Sequence, residues 1–461
     1  GRLNTDFIDN SAGVDTSDHE VNIKILLNLA TRAGKLGEDA RKAVMAEMTD
    51  EVAQMVLRSN YLQTQAISMM EKFSISRLGS KQHFIHVLED QGMLNRELEF
   101  LPSDAELQDR RDRGEGLTRP ELAVLLSYSK ISLYQQLLAS DVPEDAWLSD
   151  EAVNYFPAPV RKRFAKLVPQ HRLKREIIAT QVTNSLVNRM GASFVMRMHE
   201  DTGATPGEVA RAYTIAREMF RAREFWLRVE ALDNTVDSEL QTAAMLAMWR
   251  LLRQATRWLL NLEGRKLDIR VMVQRLAPGL GVAEIVIRQS MSGEETQALE
   301  QQMLPFVDGG FSRPLAEQIA MLERLFPALD VVETAARRRS DVARIAQVFF
   351  SLGALLDLKW LRRQVEALQV VGQWHAMSRA NLRDELFTHQ NRLVERVLQA
   401  GGRKRDPVAA WAGANTERVA GMQKMLNHMK NHVEMDYPTI AVAVRPLGQL
   451  FDDTTPGAAD A

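Results

Sequence analysis

The sequence predicts a mostly α-helical protein, a helical bundle of one or more domains, with a short α/β remnant at its front. Three observations lead to this prediction. Helix-start signals recur along the 461 residues. Apolar residues return with the 3.6-residue period of an amphipathic helix. Strand-like segments are confined to two short stretches, so little sheet is expected.

The helix starts are marked by Ser/Thr-x-x-Glu, in which the hydroxyl and the carboxylate each accept a hydrogen bond from a backbone N–H of the first turn. Pro120 and Pro206 lie just inside two of these starts, where the missing N–H of proline costs nothing. The pattern predicts five helix starts, at Ser17/Glu20, Ser103/Glu106, Thr118/Glu121, Thr205/Glu208 and Ser292/Glu295.

Apolar faces follow these starts. The stretch Leu240–Leu262 is apolar on most sides, which predicts a central helix of the bundle. Further amphipathic helices are expected at about 382–398 and 418–434. Two shorter faces share the helical spacing, one formed by Leu122, Leu126, Leu133 and Leu137 and the other by Val209, Tyr213, Ala216 and Phe220.

The strand candidates are residues 2–8 and, more weakly, residues 439–444. Pro and Gly predict breaks at 141–159, at Pro278-Gly279, at 308–310 and at 401–402. The last ten residues, 452–461, are polar and are expected to form a loose tail.

Composition excludes several classes of protein. The formal net charge of −2 lacks the positive excess of a general nucleic-acid binder, and no run of about 18 apolar residues predicts a membrane span. The absence of Cys excludes a thiolate zinc site and a cysteine nucleophile, and it fits a cytoplasmic protein. Without a signal peptide, and with Gly1 in place of a starting Met, the chain is expected to be a piece of a longer protein.

Two histidine pairs have the spacing of metal ligands on one helix face, His83/His86 and His428/His432. Neither pair has the adjacent Glu of a metalloprotease helix or an evident third ligand, so no metal site is predicted. His389 shares the apolar face of residues 382–398 and is expected to be a hydrogen-bonded core histidine.

The segment from Asp6 to Glu20 is the one stretch that suggests chemistry. It is interpreted as a strand, a loop of small residues and a capped helix, an arrangement that presents backbone N–H groups to a carboxylate or phosphate. Ser11, Ala12 and Gly13 leave room for a flat ring. The alternative is purely structural, with Ser17 as an N-cap and Gly13 supplying a turn with positive φ.

This segment resembles the Asn-Ala-Gly-Gly-Val-x-x-Ser-x-x-Glu signature of glutamate dehydrogenases, although Ser11-Ala12-Gly13 replaces Ala-Gly-Gly. Residues 2–25, 117–126 and 171–180 resemble the large NAD-dependent bacterial members in particular, and the resemblance extends over residues 1–221. It implies oxidative deamination of L-glutamate to 2-oxoglutarate and ammonia. It also implies that the front segment ends a Rossmann-type domain.

The resemblance assigns roles to four residues. Asn10 would lie beside the nicotinamide of NAD, with Gly13 also at the cofactor, while Val14 would contact the carbon chain of the substrate and Ser17 its side-chain carboxylate. No Gly-x-Gly-x-x-Gly turn follows a strand, and the catalytic Lys and Asp of the family have no counterpart. We therefore assign no catalytic residue, expect residues upstream to bind most of NAD, and predict that the chain alone is inactive.

The resulting domain prediction has four parts. Residues 1–33 end the dinucleotide-binding catalytic domain, 34–160 form a helical subdomain, 161–451 form a C-terminal helical domain, and 452–461 form the tail. The expected partners are glutamate or 2-oxoglutarate, the upstream part of the same polypeptide and further copies in a homo-oligomer. Two alternatives stay open, namely a non-catalytic helical scaffold for interaction or oligomerisation and a stand-alone helical ligand-binding protein.

Overall fold

A computed structural model describes residues 3–262, 267–370, 372–401 and 404–450. Within these ranges every regular element is a helix, and none of the helices is long and apolar enough to cross a membrane. The chain divides into two compact units. The first contains the chain up to Asp233 together with Asp237–Met272, and the second contains Asn234–Val236 and the chain from Val273 onward.

The first unit holds fourteen of the described α-helices and two short 3₁₀ helices, Val142–Glu144 and Ala165–Gln170. The α-helices are α1 (Asp6–Asp9), α2 (Ala12–Arg32), α3 (Glu38–Glu47), α4 (Thr49–Lys72), α5 (Leu78–Asp90), α6 (Asp104–Asp112), α7 (Arg119–Leu138), α8 (Ser149–Asn154), α9 (Ala158–Phe164), α10 (Lys174–Met190), α11 (Phe194–Thr202), α12 (Pro206–Met219), α13 (Ala222–Glu230) and α14 (Ser238–Asn261).

The next helix, α15 (Ile269–Gln289), begins in the first unit and continues into the second. The remaining helices of the second unit are α16 (Gly293–Asp308), α17 (Arg313–Leu325), α18 (Ala328–Arg338), α19 (Val342–Leu355), α20 (Leu358–Ala367), α21 (Gly372–Gly401), α22 (Pro407–Ala414), α23 (Thr416–His432) and α24 (Tyr437–Gln449).

The core of the first unit is built around α14, as its apolar sequence predicts. This helix packs on α12 and also contacts α4, α10, α11 and α13. Met245, Met248, Leu252 and Leu259 are all buried, and the fully buried Tyr213 lies on the facing helix α12. Burying apolar side chains on several sides of one helix is what fixes it at the centre of a bundle.

Four of the five predicted helix starts are confirmed. Complete capping boxes begin α6, α7, α12 and α16, at Ser103/Glu106, Thr118/Glu121, Thr205/Glu208 and Ser292/Glu295. The fifth, Ser17/Glu20, is wrong, because α2 already begins at Ala12 and Ser17 is its sixth residue. The predicted helix at 382–398 is confirmed as part of α21, and the helix predicted at about 418–434 is confirmed by α23, which ends at His432.

The predicted α/β remnant is wrong. Asp6–Asp9 forms the short helix α1, whose first turn is closed by hydrogen bonds from Ile8 N and Asp9 N to Thr5 O. The Asp9 carboxylate also accepts hydrogen bonds from Asn4 N at 3.0 Å and from Asn4 Nδ2 at 2.5 Å. A strand needs a neighbouring strand for its backbone groups, and the described part of the chain supplies none. The other strand candidate, 439–444, lies inside α24.

The predicted break at Pro278-Gly279 is also wrong, because both residues lie within α15. Gly279 permits a close approach: a Cβ atom built there would lie 2.7 Å from Cγ1 of Val332 on α18. The break at 308–310 is confirmed by the end of α16 at Asp308. The expected tail, 452–461, lies outside the described residues, and the domain boundaries at 33, 160 and 451 stay predictions.

Candidate functional site

The four residues assigned by resemblance lie together on one solvent-facing stripe at the start of α2. Gly13, Val14 and Ser17 lie on one side of α2, at intervals of one and three residues, and Asn10 lies two residues before the helix begins, as the C-cap residue of α1. All four are exposed, and the side chain of Val14 is 71% exposed. The structure thus brings the four residues together, while their roles toward substrate and cofactor stay predictions.

The local structure of the stripe differs from the predicted loop and cap. The expected loop of small residues is replaced by helix, since α2 begins at Ala12 and includes Gly13. Gly13 has no positive φ, and a Cβ atom built there would have no neighbour within 4 Å. Ser17 does not cap a helix, so the argument that its hydroxyl lies at a helix N-terminus is wrong.

The start of α2 is held in place by polar contacts from distant helices. Asn60 of α4 donates its Nδ2 hydrogens to Ile8 O at 2.7 Å and to Ser11 Oγ at 3.2 Å. Arg119 of α7 donates to Asn4 Oδ1 at 3.1 Å. Sequence reasoning missed both residues, because nothing in their local pattern indicates a contact with the front segment. They position the turn from which the stripe begins.

The side of α2 that faces the rest of the unit carries an unpredicted pair, Asp15 and His19. Asp15 Oδ1 lies 3.9 Å from His19 Nε2, and the His19 ring stacks on the Tyr155 ring at 4.5 Å between centroids. Burial raises the pKa of the Asp15 carboxyl and lowers the pKa of the His19 imidazole, while their mutual attraction opposes both shifts. The i, i+4 spacing of an acid and a histidine is the sequence signal that could have found this pair.

Beside this pair lies a cleft with a volume of about 500 Å³. Its walls come from α2, α4, α7, α10 and the end of α8. Asn22 joins α2 to the segment that follows α8, since its side-chain Nδ2 donates to the Tyr155 hydroxyl at 3.0 Å. The main-chain carbonyl oxygen of Asn22 lies 3.0 Å from His171 Nε2. The cleft is therefore formed by several helices of the first unit, and residues far apart in sequence supply its polar lining.

The histidine pairs show no common ligand geometry. His83 Nε2 lies 2.5 Å from Glu200 Oε1, whereas His86 Nε2 lies 3.0 Å from the carboxylate of Asp104. No group of three or more potential metal ligands occurs among the residues that the structure describes. Each of these two histidines is thus paired with a different carboxylate.

The later histidines differ from one another. The rings of His428 and His432 lie 5.1 Å apart on the exposed side of α23. His389 is half-buried, with its Nε2 3.3 Å from Glu385 Oε1, in keeping with the hydrogen-bonded histidine that was predicted.

Comparison with known proteins agrees with the resemblance seen in the sequence. Residues 114–449 match the family model described as "Glutamate dehydrogenase, C-terminal", and residues 1–70 match "Bacterial NAD-glutamate dehydrogenase, catalytic domain". Three curated proteins called NAD-specific glutamate dehydrogenase are similar over almost the whole chain. They come from Halomonas elongata (39% identity over 98% of the chain), Pseudomonas aeruginosa (38% over 99%) and Mycobacterium tuberculosis (32% over 98%).

The match has a defined extent. The chain spans 28% of the length of each of these three relatives. The C-terminal family model covers well over half of the chain, from just after α6 to the end of α24. The chain therefore belongs to the family formed by the C-terminal part of glutamate dehydrogenases.

Proposed function

We propose that this chain is the C-terminal part of an NAD-dependent glutamate dehydrogenase, in which it supplies one wall of the active-site cleft and a helical assembly domain. NAD, when bound, would supply the acceptor for a hydride from the α-carbon of L-glutamate, and hydrolysis of the resulting iminium by water would give 2-oxoglutarate and ammonia. The observation that carries the proposal is the exposed stripe of Asn10, Gly13, Val14 and Ser17, which falls in the segment similar to the bacterial catalytic domain.

The side chains of the stripe suit the proposed roles. The Ser17 hydroxyl can donate a hydrogen bond to the side-chain carboxylate of glutamate, and Val14 can form an apolar wall beside the carbon chain. Open space above Gly13 allows a flat nicotinamide ring to approach the helix, with the Asn10 amide beside it. The pyrophosphate of NAD needs a glycine-rich turn, which we assign to the upstream part of the polypeptide.

Exposed apolar residues on the same front segment support its packing against another part of the enzyme. Leu3, Phe7 and Val21 are exposed together with Val14, and several large exposed apolar side chains within one short segment are typical of a surface that packs against another part of a protein. We infer that the upstream part of the same polypeptide covers them. The proposal also includes a homo-oligomer in the cytoplasm.

The proposal is tested by Ser17→Ala in the longer enzyme. Loss of a hydrogen bond to a charged group costs about 1.5–3 kcal/mol, which corresponds to a roughly tenfold to hundredfold higher KM for glutamate. The KM for NAD should change little. Thr16→Ala is the matched control, because the Thr16 hydroxyl donates to Ala12 O at 2.7 Å within the helix and is not part of the stripe.

Two outcomes would contradict the proposal. If Ser17→Ala leaves both Michaelis constants unchanged, the stripe has no share in substrate binding and the alternative, a non-catalytic helical scaffold, is favoured. If the 461-residue chain alone reduces NAD with glutamate above the blank, then the assignment of catalysis and most of NAD binding to the upstream part is wrong.

A further inference from the structure

A small pocket of the first unit, called the Lys81 pocket below, lies where α4, α5, α7, α10 and α14 meet. Its volume is about 50 Å³, which is room for a few water molecules or for one small polyatomic ion. Its lining combines polar and cationic side chains with apolar ones such as Phe73 and Trp249. No residue of the proposed substrate stripe lines it, so the pocket is separate from that stripe.

The Lys81 side chain lines this pocket and is only 7% exposed. Its Nζ donates to Met70 O at 3.3 Å, and Met70 lines the pocket as well. An ammonium group has three N–H donors, so two of them have no partner among the described residues. Burying an ammonium without further hydrogen bonds or a counter-ion costs much free energy. The buried amine therefore indicates a missing acceptor in the pocket.

Arg77 brings a second cation to the same pocket. It lies four residues before Lys81, immediately before α5, so the two cations share one side of the helix start. Its guanidinium carbon lies 4.2 Å from the ring centroid of Phe73 and 4.4 Å from that of Trp249, and both of these residues line the pocket. Like charges at this spacing repel one another, and the described part of the lining contains no carboxylate. An anion between the two cations would relieve this repulsion.

The turn before α11 adds a neutral hydrogen-bond donor. Ser193 lines the pocket as the N-cap residue of α11, and its hydroxyl makes no capping hydrogen bond. Gly191 brings this turn close to α4, since a Cβ atom built there would lie 3.4 Å from Cγ of Met70, the residue whose carbonyl accepts from Lys81. A hydroxyl group beside two cations is a suitable donor to an oxyanion.

We propose that the Lys81 pocket binds a small oxyanion of the size of sulfate or inorganic phosphate, held by the ammonium of Lys81, the guanidinium of Arg77 and the hydroxyl of Ser193. The pocket is far smaller than the roughly 300–1,000 Å³ of sites for organic ligands, so a nucleotide or an amino acid does not fit. The proposal does not depend on the proposed function.

The affinity for the anion should depend on pH through Lys81. Burial and, to a smaller extent, the charge of Arg77 lower the pKa of the Lys81 amine to about 7 in the empty pocket. The anion needs the protonated amine, so its affinity should be highest below pH 7 and fall by up to about tenfold per pH unit above it.

The other charged groups that line the pocket do not titrate in this range. They are the guanidinium groups of Arg77 and Arg189, and Arg189 Nη2 already lies 2.9 Å from Glu230 Oε1. The walls contributed by α4, α7 and α14 hold no titratable side chain among the residues that the structure describes. A fall in affinity between pH 7 and pH 9 would therefore report on Lys81.

The test is isothermal titration calorimetry of the 461-residue chain with sodium sulfate and with inorganic phosphate, at constant ionic strength set by sodium chloride. Sulfate keeps both charges between pH 6.5 and pH 8.5, so any change in its affinity over this range belongs to the protein. Citrate is the comparison anion, because it is too large for the pocket. We expect saturable binding of sulfate and phosphate at pH 6.5, none of citrate, and roughly tenfold or more weaker sulfate binding at pH 8.5.

Variants locate the binding. Lys81→Met and Arg77→Gln each remove one cation, and each should weaken sulfate binding at pH 6.5 about tenfold or more. Lys42→Met is the matched control, because it removes an exposed lysine of α3 and should leave the affinity unchanged. Any sulfate binding left in Lys81→Met should no longer change between pH 6.5 and pH 8.5. Circular dichroism melting confirms that each variant is folded, and the two pocket variants guard against failure of one to fold.

Three results would overturn the proposal. The first is no heat of binding for sulfate or phosphate at millimolar concentration and pH 6.5. The second is binding of citrate with the same affinity, or an equal weakening by Lys42→Met, which would indicate general attraction of anions to surface cations. The third is sulfate binding by Lys81→Met with the affinity and pH dependence of the unchanged chain.

Discussion

The ring of His19 lies nearly parallel to the ring of Tyr155, with 16° between the planes and 4.5 Å between the centroids. This stack joins α2, which carries the proposed substrate stripe, to the residue that follows α8. Asn22, one turn beyond His19, donates to the Tyr155 hydroxyl at 3.0 Å. The same tyrosine therefore holds α2 by its ring and by its hydroxyl.

Substitutions of Tyr155 separate the two contributions. Tyr155→Phe keeps the stack and removes the hydrogen bond, so it should lower the free energy of unfolding by about 1 kcal/mol. Tyr155→Leu removes both and leaves part of a ring-sized cavity, so about 2–3 kcal/mol is expected. Urea unfolding of both variants measures the difference. Equal stabilities would show that the ring stack contributes nothing.

Asn60 is predicted to hold the start of α2. In Asn60→Ala the carbonyl of Ile8 and the hydroxyl of Ser11 lose their donor, at a cost of about 1–2 kcal/mol. Amide hydrogen exchange of residues 8–16 should then become roughly tenfold faster or more. Gln54→Ala, an exposed change on the same helix, should leave this exchange unchanged. Equal protection of the segment in both variants would refute the role of Asn60.

Lys81 is predicted to make stability depend on pH. Its side chain is buried beside Met70, Phe84 and Trp249, and burial lowers the pKa of its amine to about 7. Between pH 7 and the ordinary lysine pKa of 10.5, the unfolded chain binds more protons than the folded one, so this group makes unfolding less favourable as pH rises.

The measurement compares urea unfolding of the unchanged chain and of Lys81→Met from pH 7 to pH 9.5. The variant lacks the buried amine, so its free energy of unfolding should rise less over this range, and its advantage should be largest at pH 7. Lys42→Met, which removes an exposed lysine, should keep the slope of the unchanged chain. Parallel curves for Lys81→Met and the unchanged chain would contradict an amine with a lowered pKa.

Gly279 and Gly281 form a matched pair on α15. A Cβ atom at Gly279 would lie 2.7 Å from Val332 Cγ1, so Gly279→Ala should destabilise the protein by about 1–3 kcal/mol despite the better helix propensity of alanine. A Cβ atom at Gly281 would meet nothing within 4 Å, so Gly281→Ala should stabilise by up to about 1 kcal/mol. Thermal melting of the two variants measures the difference. A higher melting temperature for both variants would show that α15 and α18 can move apart freely.

Part of the fold was predictable because its determinants are local. The capping boxes at Ser103, Thr118, Thr205 and Ser292 each satisfy helix-end N–H groups with residues three positions apart, so the sequence pattern and the structure coincide. The periodic apolar residues of α14 likewise define a buried helix without knowledge of its neighbours. The grouping of Gly13, Val14 and Ser17 on one side of α2 follows from their spacing alone.

The failures also have one physical origin. The Ser/Thr-x-x-Glu pattern at Ser17/Glu20 does not begin a helix, because α2 starts five residues earlier. The apolar residues of 439–444 fit a buried helix face as well as a strand. Whether a short apolar segment forms strand or helix depends on whether a partner strand is present.

The sequence by itself thus determined the helical class and four helix starts, since both depend on hydrogen bonds and periodicity between residues close in the chain, and its motifs indicated the family. Only the tertiary structure decided which side of α2 is buried and what it faces. Asp15 and Asn22 lie on different turns of α2, Tyr155 follows α8 and Asn188 lies on α10, and packing alone brings them to a common cleft. Such convergence is set by side-chain packing between distant segments, which no local pattern encodes.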